Sequence, residues 1–214
     1  MDYRFLASRN PGEGDARLHP ALSEAGEVAS EQGDGARVAV PLGAVEVKQL
    51  VPGGWTTCEQ LTGARLGASI TESRLIVHAE RSPRRAGGAA RRAHERLVGQ
   101  VRYEWLRSVG YRHRAGRGSW EEVRLAVVAR SWSGQARELY IDLALTRRCD
   151  AAAVARAIVS RTARFWLARA HIGEDGQRAR YEALVDAPAV PAPGAHEFAH
   201  YLLPRYVLID AAPV

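Results

Sequence analysis

Near the end of this 214-residue chain stands His196-Glu197-Phe198-Ala199-His200, which fits the spacing H-E-x-x-H. On a helix that spacing sets two imidazoles on one face as zinc ligands, with the glutamate as general base. Read that way, the chain is a zinc-dependent hydrolase. The surrounding sequence argues against it. Pro188, Pro191 and Pro193 precede the motif, where a full helix is needed, and the stretch after His200 offers only Asp210 as a third acidic ligand. The competing reading is a short apolar segment that docks Phe198, Tyr201 and Leu202 on the rest of the chain. The expectation is therefore no catalytic residue, no metal and no cofactor, with the hydrolase on His196, Glu197 and His200 as the alternative.

A second group of residues offers binding chemistry. Arg81, Arg84, Arg85, Arg91, Arg92 and Arg96 crowd one segment in which Glu95 is the sole acid. Guanidinium forks match phosphate and carboxylate geometry. Arg114 and Arg117 sit in a second, Gly-rich turn. The binding residues expected on this ground are Arg81, Arg84, Arg85, Arg91 and Arg92, with Arg114 and Arg117 on the second loop. Their partner would be an anionic membrane lipid or an acidic protein. Aromatics also lie among the basic residues (Tyr103, Trp105, Tyr111, Trp120 and Trp132), the combination used to bind nucleic acid. On an alternating strand, however, Tyr103 and Trp105 point inward, so the core reading is preferred.

The net charge of +6 is unevenly spread. Residues 1–36 carry three Arg against seven acids, residues 37–80 balance, residues 81–172 carry twenty Arg against seven acids, and residues 173–214 return to a net of −3. A basic middle between acidic ends points to an anionic partner, or to tails folded back onto the middle. In the second case, removing residues 1–36 would strengthen anion binding.

The elements that must position these groups are mostly strands. Residues 1–36 are poor in apolar periodicity and rich in Gly, Glu, Asp and Ser, and read as a disordered acidic segment. From Arg37 onward, β-branched and alternating residues recur: Val38, Val40, Val45 and Val47; a Gly53-Gly54 turn; the hairpin Ala64 to Val77; Val101 to Val109; Val123, Leu125 and Val127; then Leu139, Ile141, Leu143 and Leu145. Asp150 then makes a good N-cap. It opens an amphipathic helix with Val154, Ile158, Thr162 and Phe165 on one face, and Arg156, Ser160 and Arg164 on the other. Arg178 to Val185 has the pattern of a second short helix.

Three pieces carry a resemblance to a known superfamily. Ile70-Thr71-Glu72-Ser73-Arg74-Leu75-Ile76-Val77 is similar to its hairpin signature of small apolar residue, Thr, turn and Arg-Leu-Ile. Val101-Arg102-Tyr103-Glu104-Trp105-Leu106-Arg107-Ser108-Val109 is similar to the strand that carries an aromatic followed by a Ser-Val step. A final strand then runs straight into the helix that begins after Asp150. The chain thus resembles the pleckstrin-homology (PH, GRAM-like and bacterial PH-like) superfamily over residues 37–172. The resemblance implies a mainly β fold, a small antiparallel PH-like barrel of six to seven strands capped by one C-terminal helix. The domains would then be a disordered segment 1–36, a barrel 37–172 with its basic loop at 81–96, and an extension 173–214 docked on it.

That fold hosts binders and scaffolds more than catalysts. The expected function is a non-enzymatic binding or recruitment module that engages an anionic surface through the basic loop; a scaffold subunit binding through a sheet edge is a further alternative. No run approaches the ~20 apolar residues of a membrane span, and Met1 to Pro20 has no apolar signal core. With Cys58 and Cys149 far apart and outside any CxxC, the expected location is cytoplasmic, with peripheral attachment at the inner face of the membrane as the variant of that expectation.

Overall fold

The computed structural model describes residues 5–7, 19–22, 27–81, 95–114, 120–130, 136–147, 149–169, 175–190 and 197–204. The strands are β1 (Val38–Val51), β2 (Gly54–Ile70), β3 (Arg74–Arg81), β4 (Glu95–Arg102), β5 (Leu106–Arg114), β6 (Trp120–Arg130), β7 (Ala136–Leu145) and β8 (Ala199–Leu202). The helices are α1 (Ala151–Leu167) and α2 (Asp175–Val185), and a short 3-10 turn, Tyr103–Trp105, joins β4 to β5. All eight strands form one antiparallel sheet in the order β4-β3-β2-β1-β7-β6-β5-β8.

Alternation decides which face is inside. Leu139, Ile141, Leu143 and Leu145 of β7 are buried, as are Val123, Leu125, Val127 and Ala129 of β6, so each strand turns every second residue to one core. In β1 the buried set changes parity: Val40 and Leu42 lead to Val45 and Val47. The pairing with both β2 and β7 shifts register between Leu42 and Ala44. One extra residue at Gly43 therefore keeps apolar side chains inward while the strand bends, as a β-bulge does.

The bend folds the sheet around its core without closing it. β4 and β8 are the two ends of the strand order and do not pair with each other. The expected barrel is thus corrected to an open, strongly bent sheet. Its core is completed by other means, because unpaired edges leave gaps that side chains from elsewhere must fill.

One filler is α1. Asp150 caps it by accepting from the N–H groups of Ala152 and Ala153, and Glu121 accepts from Ala151, so two carboxylates meet the positive end of the helix dipole. Ile158 and Thr162 are buried as the helical spacing predicts, while Val154 and Phe165 are partly buried against the core. The buried stripe also takes in Ala155, Val159 and Trp166, centring it slightly away from the expected line. Trp166 then packs with Tyr181 of α2, which accounts for the second helix.

Described parts of the acidic N-terminus are the other filler, and at residues 5–7 and 27–36 the expectation of disorder is corrected. Phe5 and Leu6 are buried in the main core. Asp34 is 1% exposed and meets Arg74, which is 0% exposed. Arg74 donates Nε and Nη2 to Asp34 at 3.0 and 2.7 Å, Nη1 to Glu31 and to Gln100, and Nη2 to the carbonyl of Ala29. All five guanidinium N–H groups are thereby used, which is what a buried arginine requires. Glu31 also accepts from Arg102 at 2.9 Å. Removing residues 1–36 would therefore strip Arg74 of its counter-charge.

Candidate functional site

In an antiparallel sheet, alternate connections leave from the same rim. The observed order makes β1, β3, β6 and β8 run one way and the others run back. The β1–β2 and β6–β7 connections therefore share one rim, and the β3–β4 connection leaves in the same direction but opposite residue 64 of β2, nine residues along that strand from Trp55. The β2–β3 and β5–β6 connections and the start of α1 share the other. Arg161 on α1 reaches Glu72 and the carbonyl of Ile70, and Glu121 at the start of β6 meets the helix N-terminus. Hence α1 covers the second rim and leaves the first uncovered.

The uncovered rim carries exposed apolar groups. Leu50 and Val51 of β1 are 42% and 37% exposed, and Trp55 of β2 is 41% exposed. They flank a tight turn in which Gly53 and Gly54 take φ of 104° and 128°, values that other residues rarely adopt. The Trp55 ring stacks on Tyr140 with centroids 4.0 Å apart, so the exposed indole is held rigidly. Leu50 and Trp55 are paired across the hairpin.

Of the arginines expected to bind, only Arg81 and Arg114 lie in described strands, and those strands end in opposite directions. Arg81 ends β3 and so opens the β3–β4 connection in the direction of the uncovered rim, whereas Arg114 ends β5 on the rim with α1. Arg84, Arg85, Arg91, Arg92 and Arg117, and the side chains of Arg81 and Arg114, lie outside the described residues. Tyr103, Trp105 and Tyr111 are buried, as the alternation predicted, and are withdrawn from any stacking role; the Trp120 side chain and Trp132 lie outside the described residues.

The His-Glu motif does not form the geometry that zinc peptidases need. Ala199–Leu202 is a strand paired with β5, not a helix, and His196 lies outside the described residues. His200 is laid across Gly110 of β5: a Cβ at Gly110 would come within 2.8 Å of the imidazole and 3.3 Å of Phe198. Burial, and then the nearby Arg124 charge, push His200 below its ordinary pKa. Glu197 is exposed. Among the described residues no group of three His, Cys, Asp or Glu side chains could hold a metal ion.

Phe198 is instead part of a cross-strand stack on the outer face of the sheet. The guanidinium carbons of Arg112 and Arg124 each lie 4.3 Å from the Phe198 ring centre, a cation–π sandwich. Beneath it, Asp142 accepts from Arg124 at 2.6 and 2.8 Å and from Lys48 at 3.1 Å, while Glu122 accepts from Arg112 at 2.6 Å. Burial alone would lower Lys48, but the hydrogen bonds and charges of Asp142 and Glu46 raise it. These cations are neutralised within the fold, so the strip fastens β8 to the sheet and is not an anion site. Gly110→Val is expected to push Phe198 and His200 off the sheet. Amide hydrogen exchange should then show Ala199 to Leu203 losing at least about tenfold in protection while β6 and β7 keep theirs.

Comparison of the chain with protein-family models, with curated proteins and with solved structures finds no match.

Proposed function

We propose that this chain is a non-enzymatic recruitment module of PH-like architecture, which docks on an anionic membrane surface through the rim opposite α1. Seven consecutive antiparallel strands followed directly by a helix across one end support the PH-like reading, although the sheet is open. The observation that carries the functional reading is the exposed apolar tip of the β1–β2 hairpin. Leu50, Val51 and Trp55 stand exposed there, with Trp55 stacked on Tyr140, and the connection from Arg81 to Arg96, with six arginines against one acid, leaves β3 in the same direction, nine residues of β2 away.

Each feature supplies what the other lacks. Tryptophan has an apolar body with a polar handle and favours the headgroup region of a bilayer. Arginine near an anionic lipid surface contributes about 1 kcal/mol per residue. An acidic protein partner would use the arginines but leave the three apolar side chains unexplained, so the lipid surface is the better reading. Among the described residues no helix is long and apolar enough to cross a membrane, and the proposed association is peripheral. The zinc hydrolase loses its helical premise with β8.

Co-sedimentation with phosphatidylcholine vesicles, with and without phosphatidylserine, tests this. The chain should bind the anionic vesicles preferentially. Arg84→Gln, Arg85→Gln, Arg91→Gln and Arg92→Gln combined should weaken that binding by at least about tenfold. Trp55→Ala should weaken it severalfold without altering its salt dependence. Binding that ignores phosphatidylserine, or that survives both sets of changes, refutes the reading.

A further inference from the structure

Residues 5–7 are held against the domain as a bound peptide is held. Ala7 forms an antiparallel bridge on the outer edge of β4: its N–H donates to the Val98 carbonyl at 3.1 Å, and the Val98 N–H returns to Ala7 at 2.9 Å. The N–H groups of Phe5 and Leu6 donate to the carboxylate of Glu59 on β2 at 2.9 to 3.3 Å. Both side chains are buried in the core. The floor beneath them is Gly99, where a Cβ would stand 2.5 Å from the Phe5 carbonyl oxygen and 2.9 Å from its ring.

The eight-strand pairing needs none of this. Strands β1 to β8 are joined without residues 5–7, and Glu59 and Gly99 keep their places in β2 and β4. What the two strands supply to the segment is a complete strand-addition seat. It has an unpaired strand edge for main-chain hydrogen bonds, a carboxylate clamp for two consecutive N–H groups, apolar sites for two large side chains, and a residue without a side chain where the backbone crosses. These are the elements by which sheet edges take up extended peptides. They recognise a triplet's chemistry rather than its covalent attachment. In sequence the triplet is followed by the polar run Ser8-Arg9-Asn10-Pro11-Gly12-Glu13-Gly14-Asp15, which keeps it covalently attached to the domain.

We propose that the outer edge of β4, with Glu59 and Gly99, is a peptide-docking groove. In the resting chain its own Phe5-Leu6-Ala7 occupies it. An extended segment of a partner protein takes it over when it carries an aromatic, an aliphatic and a small residue in succession, with no proline among the three. Tethering gives the internal segment a millimolar-range local concentration, so it acts as a built-in competitor. The groove rests on its own contacts and does not depend on the lipid-binding reading.

The test uses the full chain and a fluorescent peptide of its own residues 2–8, Asp-Tyr-Arg-Phe-Leu-Ala-Ser. Phe5→Ala with Leu6→Ala vacates the groove. This variant should bind the peptide saturably, and the unaltered chain should bind it at least about tenfold more weakly. Adding Gly99→Val to the vacated variant should abolish binding. A vacated variant that keeps its circular dichroism yet binds no peptide overturns the proposal, and so does equal binding with Gly99→Val. If the vacated variant does not fold, the unaltered chain still decides. Excess peptide should speed tryptic cleavage after Arg4 and Arg9 by displacing the segment, and no acceleration at saturating peptide overturns the proposal. A stable dimer of the unaltered chain in light scattering, lost in Gly99→Val, would assign the groove to a second copy and overturn the partner.

Discussion

Asp34→Ala is expected to cost about 3–5 kcal/mol of folding stability, read as a large drop in the urea midpoint, because it leaves the Arg74 guanidinium buried without its main counter-charge. Asp34 is as deeply buried as Arg74, and it accepts from Arg74, from Ser73 at 2.7 Å and from the Glu31 N–H at 3.0 Å. The Thr71 hydroxyl, 3.1 Å from the same carboxylate, also accepts from the N–H groups of Ser73 and Arg74 and so shapes the β2–β3 turn. One residue therefore ties the N-terminal segment, the turn and β3 together, and its loss frees all three.

The same site sets an acid limit. Burial alone would raise the Asp34 pKa, but the hydrogen bonds from Arg74, Glu31 and Ser73 and the Arg74 charge outweigh it, holding the carboxyl far below the ordinary range. As pH falls, the unfolded chain takes up this proton first, near its ordinary value of about 4. The contribution of ionised Asp34 is thus complete above about pH 4 and is lost as pH falls toward the folded value. Stability measured from pH 5 to pH 2 should fall less steeply in Asp34→Asn than in the unaltered chain. An unchanged slope would mean that Asp34 is not the linked group.

Ile158→Asp is the second large effect, expected to cost about 4 kcal/mol or more. Ile158 is buried in the main core on the face that α1 turns to the sheet, and α1 covers a rim that the open sheet cannot close itself. A carboxylate there must be desolvated without a partner, or the helix must lift. Ile158→Val removes one methylene from the same place and should cost only about 0.5–1.5 kcal/mol. Urea unfolding of the two variants separates loss of packing from burial of charge. Equal and small effects would place α1 away from the core.

How much could be read beforehand varies with the kind of signal. Period-two order in β6 and β7 and the Asp150 cap are local, and the structure follows them closely. The inward placing of Tyr103 and Trp105 also held, although they sit in a 3-10 turn. The β1 alternation was legible except at Gly43, where the bulge reverses parity. Trp55 was readable as the start of a strand after Gly53-Gly54, but its exposure was not, because exposure depends on what stacks beneath it. The helical spacing of the His-Glu motif presumes a helix, whereas β5 offers an edge that draws Ala199–Leu202 into a strand, in keeping with the docked segment preferred from the sequence.

From its residues alone, this chain was bound to make alternating strands that end in a capped, one-faced helix. Those preferences act over a few neighbouring residues, and each side chain states its own. Tertiary packing settled whether the sheet closes, which rim stays bare, and what becomes of the acidic N-terminus. Those outcomes rest on partners far apart in sequence, Arg74 with Asp34, Phe5 with Gly99 and Phe198 with Arg112 and Arg124. Low apolar content marks residues 1–36 as unable to form a core of their own. It cannot show that a buried arginine and a glycine floor elsewhere are waiting to receive them.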